Sequence, residues 1–231
     1  MLHLDRLTLT IGAFRLTADW RAMPGDRIAI LGPSGGGKST LLAAIAGFLT
    51  PAEGHIRWQG QDITATPPGD RPVSILFQDQ NLFPHLTVAR NLALGLSPGL
   101  RMAPGDAARI DDVLARTGLG GMGDRRPATL SGGQQGRVAL ARALLRARPV
   151  LLLDEPFAAL GPALKSEMMA LLSDIATRTN ALTLLVTHDP ADARAFAPQT
   201  VLVADGIAHP PVPTAPLLDH PPPALAAYLG A

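Results

Sequence analysis

The chain has no cysteine, one tyrosine and two tryptophans among 231 residues. Disulfides, iron–sulfur clusters and cysteine-ligated zinc are therefore excluded. Aromatic residues make up only 4%, which is thin for the stacking platforms that hold unpaired bases. Charge is scarce and evenly matched: 20 Lys and Arg against 19 Asp and Glu leave a formal charge of +1. So balanced a chain has no whole-molecule attraction for a polyanion, and nucleic acid is not an expected partner. The histidines (His3, His55, His85, His188, His209 and His220) form no pair at i, i+3 or i+4, which argues against a metal site built on one helix. No run approaches the ~18 uninterrupted apolar residues of a membrane span, and the N-terminus lacks an apolar signal core. The expectation is a cytoplasmic protein that meets any membrane through a partner.

What is present is a core-forming composition, 47% hydrophobic and 17% charged. "LHLDRLTLTI" alternates as a strand does, and "AFRLTADW" reads as its hairpin partner. "DRIAILG" is a short apolar strand, and "KSTLLAAIAGF" takes helical spacing with Leu41, Leu42, Ile45 and Phe48 on one side. "GHIRWQGQDI" suggests another hairpin arm and "PVSILFQ" a buried strand. From about 79 to 148 strand-like runs disappear, and helical segments alternate with Gly and Pro breaks. "PVLLLDEP" and "ALTLLVTHD" are continuous apolar runs suited to parallel strands covered on both faces, with a helix between them. "TVLVADG" adds a last strand, and the tail over 209–231 is proline-rich, with one short helix expected in "PALAAYLG". The expected fold is α/β in a single domain over 1–231. It has a mixed, mostly parallel sheet, an N-terminal antiparallel β-subdomain and an inserted helical subdomain.

"GPSGGGKST", Gly32 to Thr40, matches G-x-x-x-x-G-K-[ST] between an expected strand and an expected helix, which is the P-loop context. Backbone N–H groups of Gly32, Pro33's neighbour Ser34, Gly35, Gly36 and Gly37 can turn inward around phosphate oxygens, with the helix N-terminus adding positive potential. Lys38 would reach the β- and γ-phosphates of ATP, and the Ser39 hydroxyl, followed by Thr40, would ligate Mg²⁺. A glycine turn serving only tight packing is the other reading, and the strand–loop–helix context weighs against it.

Ligands of a parallel α/β sheet sit outside the carboxyl ends of its strands. "LLLDEP" brings Asp154 there as a holder of Mg²⁺ and Glu155 as candidate general base, although adjacent acids can also simply cap a turn. "ILFQD" brings Gln78, whose amide can touch both metal and water, and "LLVTHD" brings His188, suited to a γ-phosphate. A second glycine-rich helix start, "LSGGQ", supplies Ser131 as an N-cap followed by Gly132, Gly133 and Gln134.

These residues in this order resemble the ATP-binding cassette ATPases over nearly the whole chain up to Gly206. "LSGGQ" after a helical insertion is what separates that family from other P-loop ATPases. The resemblance implies two copies paired head to tail around two ATP molecules, with Ser131, Gly132, Gly133 and Gln134 of one closing over the nucleotide on the other's Lys38. It also implies an integral membrane permease as partner, a solute-binding protein acting indirectly, and a place on the cytoplasmic face of a bacterial inner membrane. "RPVS" through "HLTVARNLALGLSPGL" is similar, more narrowly, to the ATPase subunits of bacterial thiamine importers. Phe83 and Leu86 are candidate apolar anchors for the permease, or ordinary core. There are departures. Ile11 stands where the family has an adenine-stacking aromatic, with Phe14 the nearest substitute. Gly136 lies in the first turn after the signature, where it should soften the helix. Gly161 replaces the family's Asp, which helps the two sites communicate. Ile11 and Gly161 leave room for a second reading, an ATP-gated dimerising switch with weak turnover.

Overall fold

The computed structural model describes residues 1–77, 81–158 and 160–229. Gln78, a candidate site residue, lies outside the described residues. Two alternating strands open the chain, β1 (Leu2–Ile11) and β2 (Phe14–Ala22), paired antiparallel so that Ile11 meets Phe14 at the hairpin tip. A bulge at Arg6, where φ is 48°, moves the buried set from Leu2 and Leu4 to Leu7 and Leu9. Next come β3 (Arg27–Leu31), α1 (Lys38–Ala46), β4 (Glu53–Trp58), β5 (Gln61–Asp62) and β6 (Val73–Leu76). A helical stretch follows: α2 (Val88–Leu96), α3 (Asp106–Arg116), a 3-10 turn at Pro127–Thr129 and α4 (Gly132–Leu145). The chain then alternates through β7 (Val150–Asp154), α5 (Pro162–Thr179), β8 (Leu182–Val186), α6 (Pro190–Phe196) and β9 (Gln199–Ala204). It closes with β10 (Ile207–Ala208), β11 (Val212–Pro213), α7 (Thr214–Asp219) and α8 (Pro223–Leu229).

The strands form one 11-stranded sheet in the order β5-β4-β1-β2-β10-β9-β3-β8-β7-β6, with β11 on β9. From β9 to β6 every neighbour is parallel, whereas β5, β4, β1 and β2 make an antiparallel arm. β10 joins the halves, parallel to β2 and antiparallel to β9. The parallel strands need apolar side chains on both faces, and their unbroken runs supply them. Along β3, Ile28 and Ile30 pack with α1 and the N-terminal strands, while Ala29 and Leu31 pack with residues of α5 and α6. A third cluster, with Val88, Leu92, Ile110, Leu114, Val138 and Leu145, holds α2, α3 and α4 together.

One local expectation changes. Phe48 does not share the buried side of α1. The helix stops at Ala46, because Gly47 turns left-handed (φ 94°) and caps the Ala43 and Ala44 carbonyls, leaving Phe48 58% exposed. The helix α4 runs continuously through Gly136 from a capping box at its start. In the tail, α8 is the short helix expected in "PALAAYLG", and α7 is an addition to it. Thr214 donates to the Ala197 carbonyl at 2.7 Å, starting α7, and α8 buries Leu225 against Leu202 and Ala204 of β9.

Candidate nucleotide site

Strand register brings the site together. Ile30 pairs with Val186 and Val186 with Asp154, so β3, β8 and β7 end level with one another. The loops leaving those ends carry the glycine-rich cradle, His188 and Glu155. Gly32 (φ 151°) leads β3 out beneath β9, where a Cβ would lie 2.0 Å from the Val203 carbonyl oxygen, so no other residue fits.

Lys38 is 7% exposed, and its Nζ donates to the Gly32 and Pro33 carbonyls at 2.8 Å each. Burial lowers the ammonium's pKa, opposed by the charges of Glu155 and Asp154. One residue on, Ser39 Oγ donates to Asp154 Oδ1 at 3.1 Å, joining the first turn of α1 to the end of β7. Burial raises the Asp154 pKa, with Glu155 adding to the effect and Ser39 and Lys38 opposing it. A half-buried carboxylate that is costly to ionise, touching a hydroxyl beside a phosphate cradle, suits a divalent cation shared with the nucleotide.

Glu155 sits at φ 45°, its N–H bonded to the Val186 carbonyl at 3.1 Å. This kink at the end of β7 turns the carboxylate toward His188, whose Nδ1 is 3.3 Å from Glu155 Oε2. The His188 ring is 55% exposed, and Glu155 is the one side-chain partner it has among the described residues.

Residues behind His188 are ones that sequence reasoning missed. Asp189 caps α6 through the Ala191 N–H at 2.9 Å, and Thr187 Oγ1 donates to Asp192 Oδ2 at 2.7 Å. Lys165 on α5 reaches both Asp189 and Asp192 at 2.8 Å. Burial alone would lower the Lys165 pKa, but bonds to the two aspartates outweigh it and the net shift is upward. The signal for Asp189 was in "THDP": an Asp before a Pro is a helix start. Nothing local pointed to Lys165.

A cavity of about 370 Å³ lies over the cradle, lined by Ile11, Phe14, Ser34, Gly35, Gly37, Lys38, Ser39, Thr40 and Glu155. Ile11 and Phe14 enter through the hairpin tip, and Ile11 is 52% exposed. Ser131, Gly132, Gly133 and Gln134 are not among these walls. They form an exposed helix start, with Ser131 Oγ accepting from the Gln134 N–H and Gln134 Oε1 accepting from the Ser131 N–H at 3.0 Å. Gly133 faces inward, where a Cβ would meet Leu164 Cδ2 at 2.1 Å, so the start of α4 is packed tightly on α5. A second cavity, of about 510 Å³, is walled by Phe48, Phe77, Leu82, Phe83, Arg142 and Arg146 among others. Phe83 lines it and Leu86 does not.

A phosphate cradle between a parallel strand and a helix, with acids at the next strand end, defines a P-loop nucleotide hydrolase. Residues 17–158 match the family described as ABC transporter, and the chain belongs to that family, whose members bind and hydrolyse ATP. It is 68% identical over 230 residues to the "Thiamine import ATP-binding protein ThiQ" of Cereibacter sphaeroides, covering 100% of both chains. A protein of the same description from Yersinia pseudotuberculosis is 47% identical, over 95% of this chain and 93% of that one. Among solved structures, a dimeric ATP-binding cassette in a post-hydrolysis state bound to ADP and Pi superposes with TM-score 0.79 at 29% identity. The match covers 93% of this chain and 99% of that one. A dimeric bacterial ABC transporter cassette gives TM-score 0.80 at 30% identity, with the same coverage.

Proposed function

We propose that the chain is the ATP-hydrolysing subunit of a bacterial thiamine importer, working as a head-to-tail homodimer under a membrane permease. The observation that carries the dimer is the separation of two half-sites. The cavity over Lys38 is open, and the capped, exposed start of α4 has no part in it. A second copy supplies the missing wall, bringing Ser131, Gly132, Gly133 and Gln134 over the nucleotide. The relatives named for thiamine import, identical at up to 68% over the full chain, support the cargo.

In this reading the backbone from Gly32 to Thr40 wraps the phosphates, and Lys38 gives up its loop carbonyls for phosphate oxygens. Ser39, Asp154 and Gln78 hold Mg²⁺, which when bound offsets charge on the phosphates. Glu155 takes the proton of the attacking water, and His188 and Gln78 orient that water and the γ-phosphate. Residues 79–148 act as an inserted helical subdomain, 1–231 as one domain, and the groove lined by Phe83 receives the permease. Among the described residues no helix is long and apolar enough to cross a membrane. Location on the cytoplasmic face of the inner membrane, and a periplasmic binding protein that delivers thiamine, follow from the importer reading.

Steady-state hydrolysis by the full chain, alone and with its permease, tests the proposal. Turnover that Glu155→Gln abolishes supports it; turnover untouched by that change removes Glu155 as the base. Negligible turnover in both settings favours instead the ATP-gated switch, for which the exposed Ile11 and the Gly161 N-cap of α5, which makes no side-chain cap bond, are the motives.

A further inference from the structure

The sole tyrosine of the chain, Tyr228, lies in α8, the short helix of the proline-rich tail. Its hydroxyl donates to the backbone carbonyl of His188 at 2.7 Å. We propose that Tyr228 is a positioning residue for hydrolysis, with the C-terminal segment bracing the loop that aims His188. This rests on the reading above that His188 acts on the nucleotide.

Several observations support a brace rather than an incidental contact. The helix α8 is seated by Leu225, fully buried against Leu202 and Ala204, and the Tyr228 ring packs on the same cluster. A second tie runs parallel to the first: Arg194 of α6 bonds Asp219, the last residue of α7, at 2.7 Å. Because α6 begins directly after the His188 loop, the two ties hold that loop and its helix to the same C-terminal segment. Lys165 grips the opposite flank through Asp189 and Asp192. The His188 ring is more than half exposed, and Glu155 is the group it reaches. The phenol fixes the His188 carbonyl and so constrains the backbone from which that ring projects toward Glu155. The phenol is suited to permanent donation: burial, then the charges of Glu155 and Asp189, raise its pKa, so it stays protonated through neutral pH. Tyr228 lines no part of the cavity over Lys38, which separates its effect from nucleotide binding.

Tyr228→Phe keeps the ring and removes the bond. In the full chain, kcat for ATP is expected to fall roughly three- to tenfold, the range one neutral hydrogen bond supplies, with KM unchanged and Tm lower by no more than about 6 °C, the stability worth of the same bond. In protein labelled with ¹⁵N-histidine, the His188 ring signals should shift or broaden while those of His3 and His55 stay in place. Wild-type kcat together with unmoved His188 signals overturns the proposal, as does a loss carried by KM, or a fall in Tm well beyond that of a single bond. Leu225→Ala, which loosens α8 with the hydroxyl intact, should lower both kcat and Tm. His188→Ala is the reference. If it leaves turnover intact, the role given to His188 fails. If it abolishes turnover while Tyr228→Phe is silent in rate and spectrum, only the brace fails.

Discussion

Arg71 is 1% exposed, yet no carboxylate pairs with it among the described contacts. Its guanidinium donates four hydrogen bonds to carbonyls instead: to Thr66 and Thr64 at 2.8 and 2.7 Å, and to Ala44 and Ile45 at 2.7 and 2.9 Å. Two of these acceptors lie in the last turn of α1, which has no basic residue of its own, so Arg71 places positive charge where the helix dipole is negative. Burial lowers the Arg71 pKa, opposed by the charge of Asp62, a sign that its own charge is costly to hold here. Replacing it by Met keeps most of the stem volume and removes every donor. Bonds to a charged group are worth about 1.5–3 kcal/mol each, but they are not additive, and the buried charge's own desolvation cost is recovered. A net loss of about 3 kcal/mol follows. In a chain of this size that lowers Tm by roughly 6–12 °C. Differential scanning calorimetry of the nucleotide-free protein reads it directly. A fall of under about 2 °C would refute the view that Arg71 anchors the far end of the helix bearing Lys38.

Three further outcomes follow from the same geometry. Asp154→Asn should stabilise the metal-free protein at neutral pH while removing hydrolysis. Burial raises this carboxyl's pKa, so the fold pays for its ionised form only as pH rises through that raised value. The gain must therefore vanish below the carboxylate range, and denaturant midpoints at two pH values would show it; an Asn variant less stable at neutral pH contradicts the cause given. Gly161→Asp has open space for its Cβ and should add an N-cap to α5, raising stability by a few tenths of a kcal/mol, about 1 °C in Tm. If it instead unfolds the protein, the Gly161 backbone is doing something other than lacking a cap. Ile11→Tyr should tighten ATP by about 1 kcal/mol through stacking, roughly fivefold in Kd by equilibrium titration. No change places the adenine away from the hairpin tip.

The strands with unbroken apolar runs, the cradle and the acids at the end of β7 were legible because each is written in contiguous residues. The N-cap at Ser131 was legible for the same reason; the reciprocal bond with Gln134 that makes it a capping box came from the structure. Phe48 was misplaced because its helical spacing was set above the break at Gly47, which the sequence already offered as the end of the helix. Gly136 was expected to soften the first turn after the signature; it lies within α4, where a stability measurement would read its propensity cost. Arg71, Lys165 and Tyr228 were invisible for another reason. Their partners lie 26–27, 24–27 and 40 residues away in the bonds that matter, and no local pattern encodes such pairings. The level ends of β3, β8 and β7 were foreseeable as a rule of parallel sheets. Which carboxylate would meet which hydroxyl was not.

The central claim is that each nucleotide is finished by the signature segment of another copy. Sedimentation velocity of the Glu155→Gln protein with ATP, beside the Glu155→Gln/Ser131→Arg protein, tests it most directly, with bound nucleotide measured in each. The account predicts dimers in the first and monomers in the second, with equal ATP bound per monomer. Monomers in both at saturating ATP, or loss of nucleotide binding on changing Ser131, would contradict it.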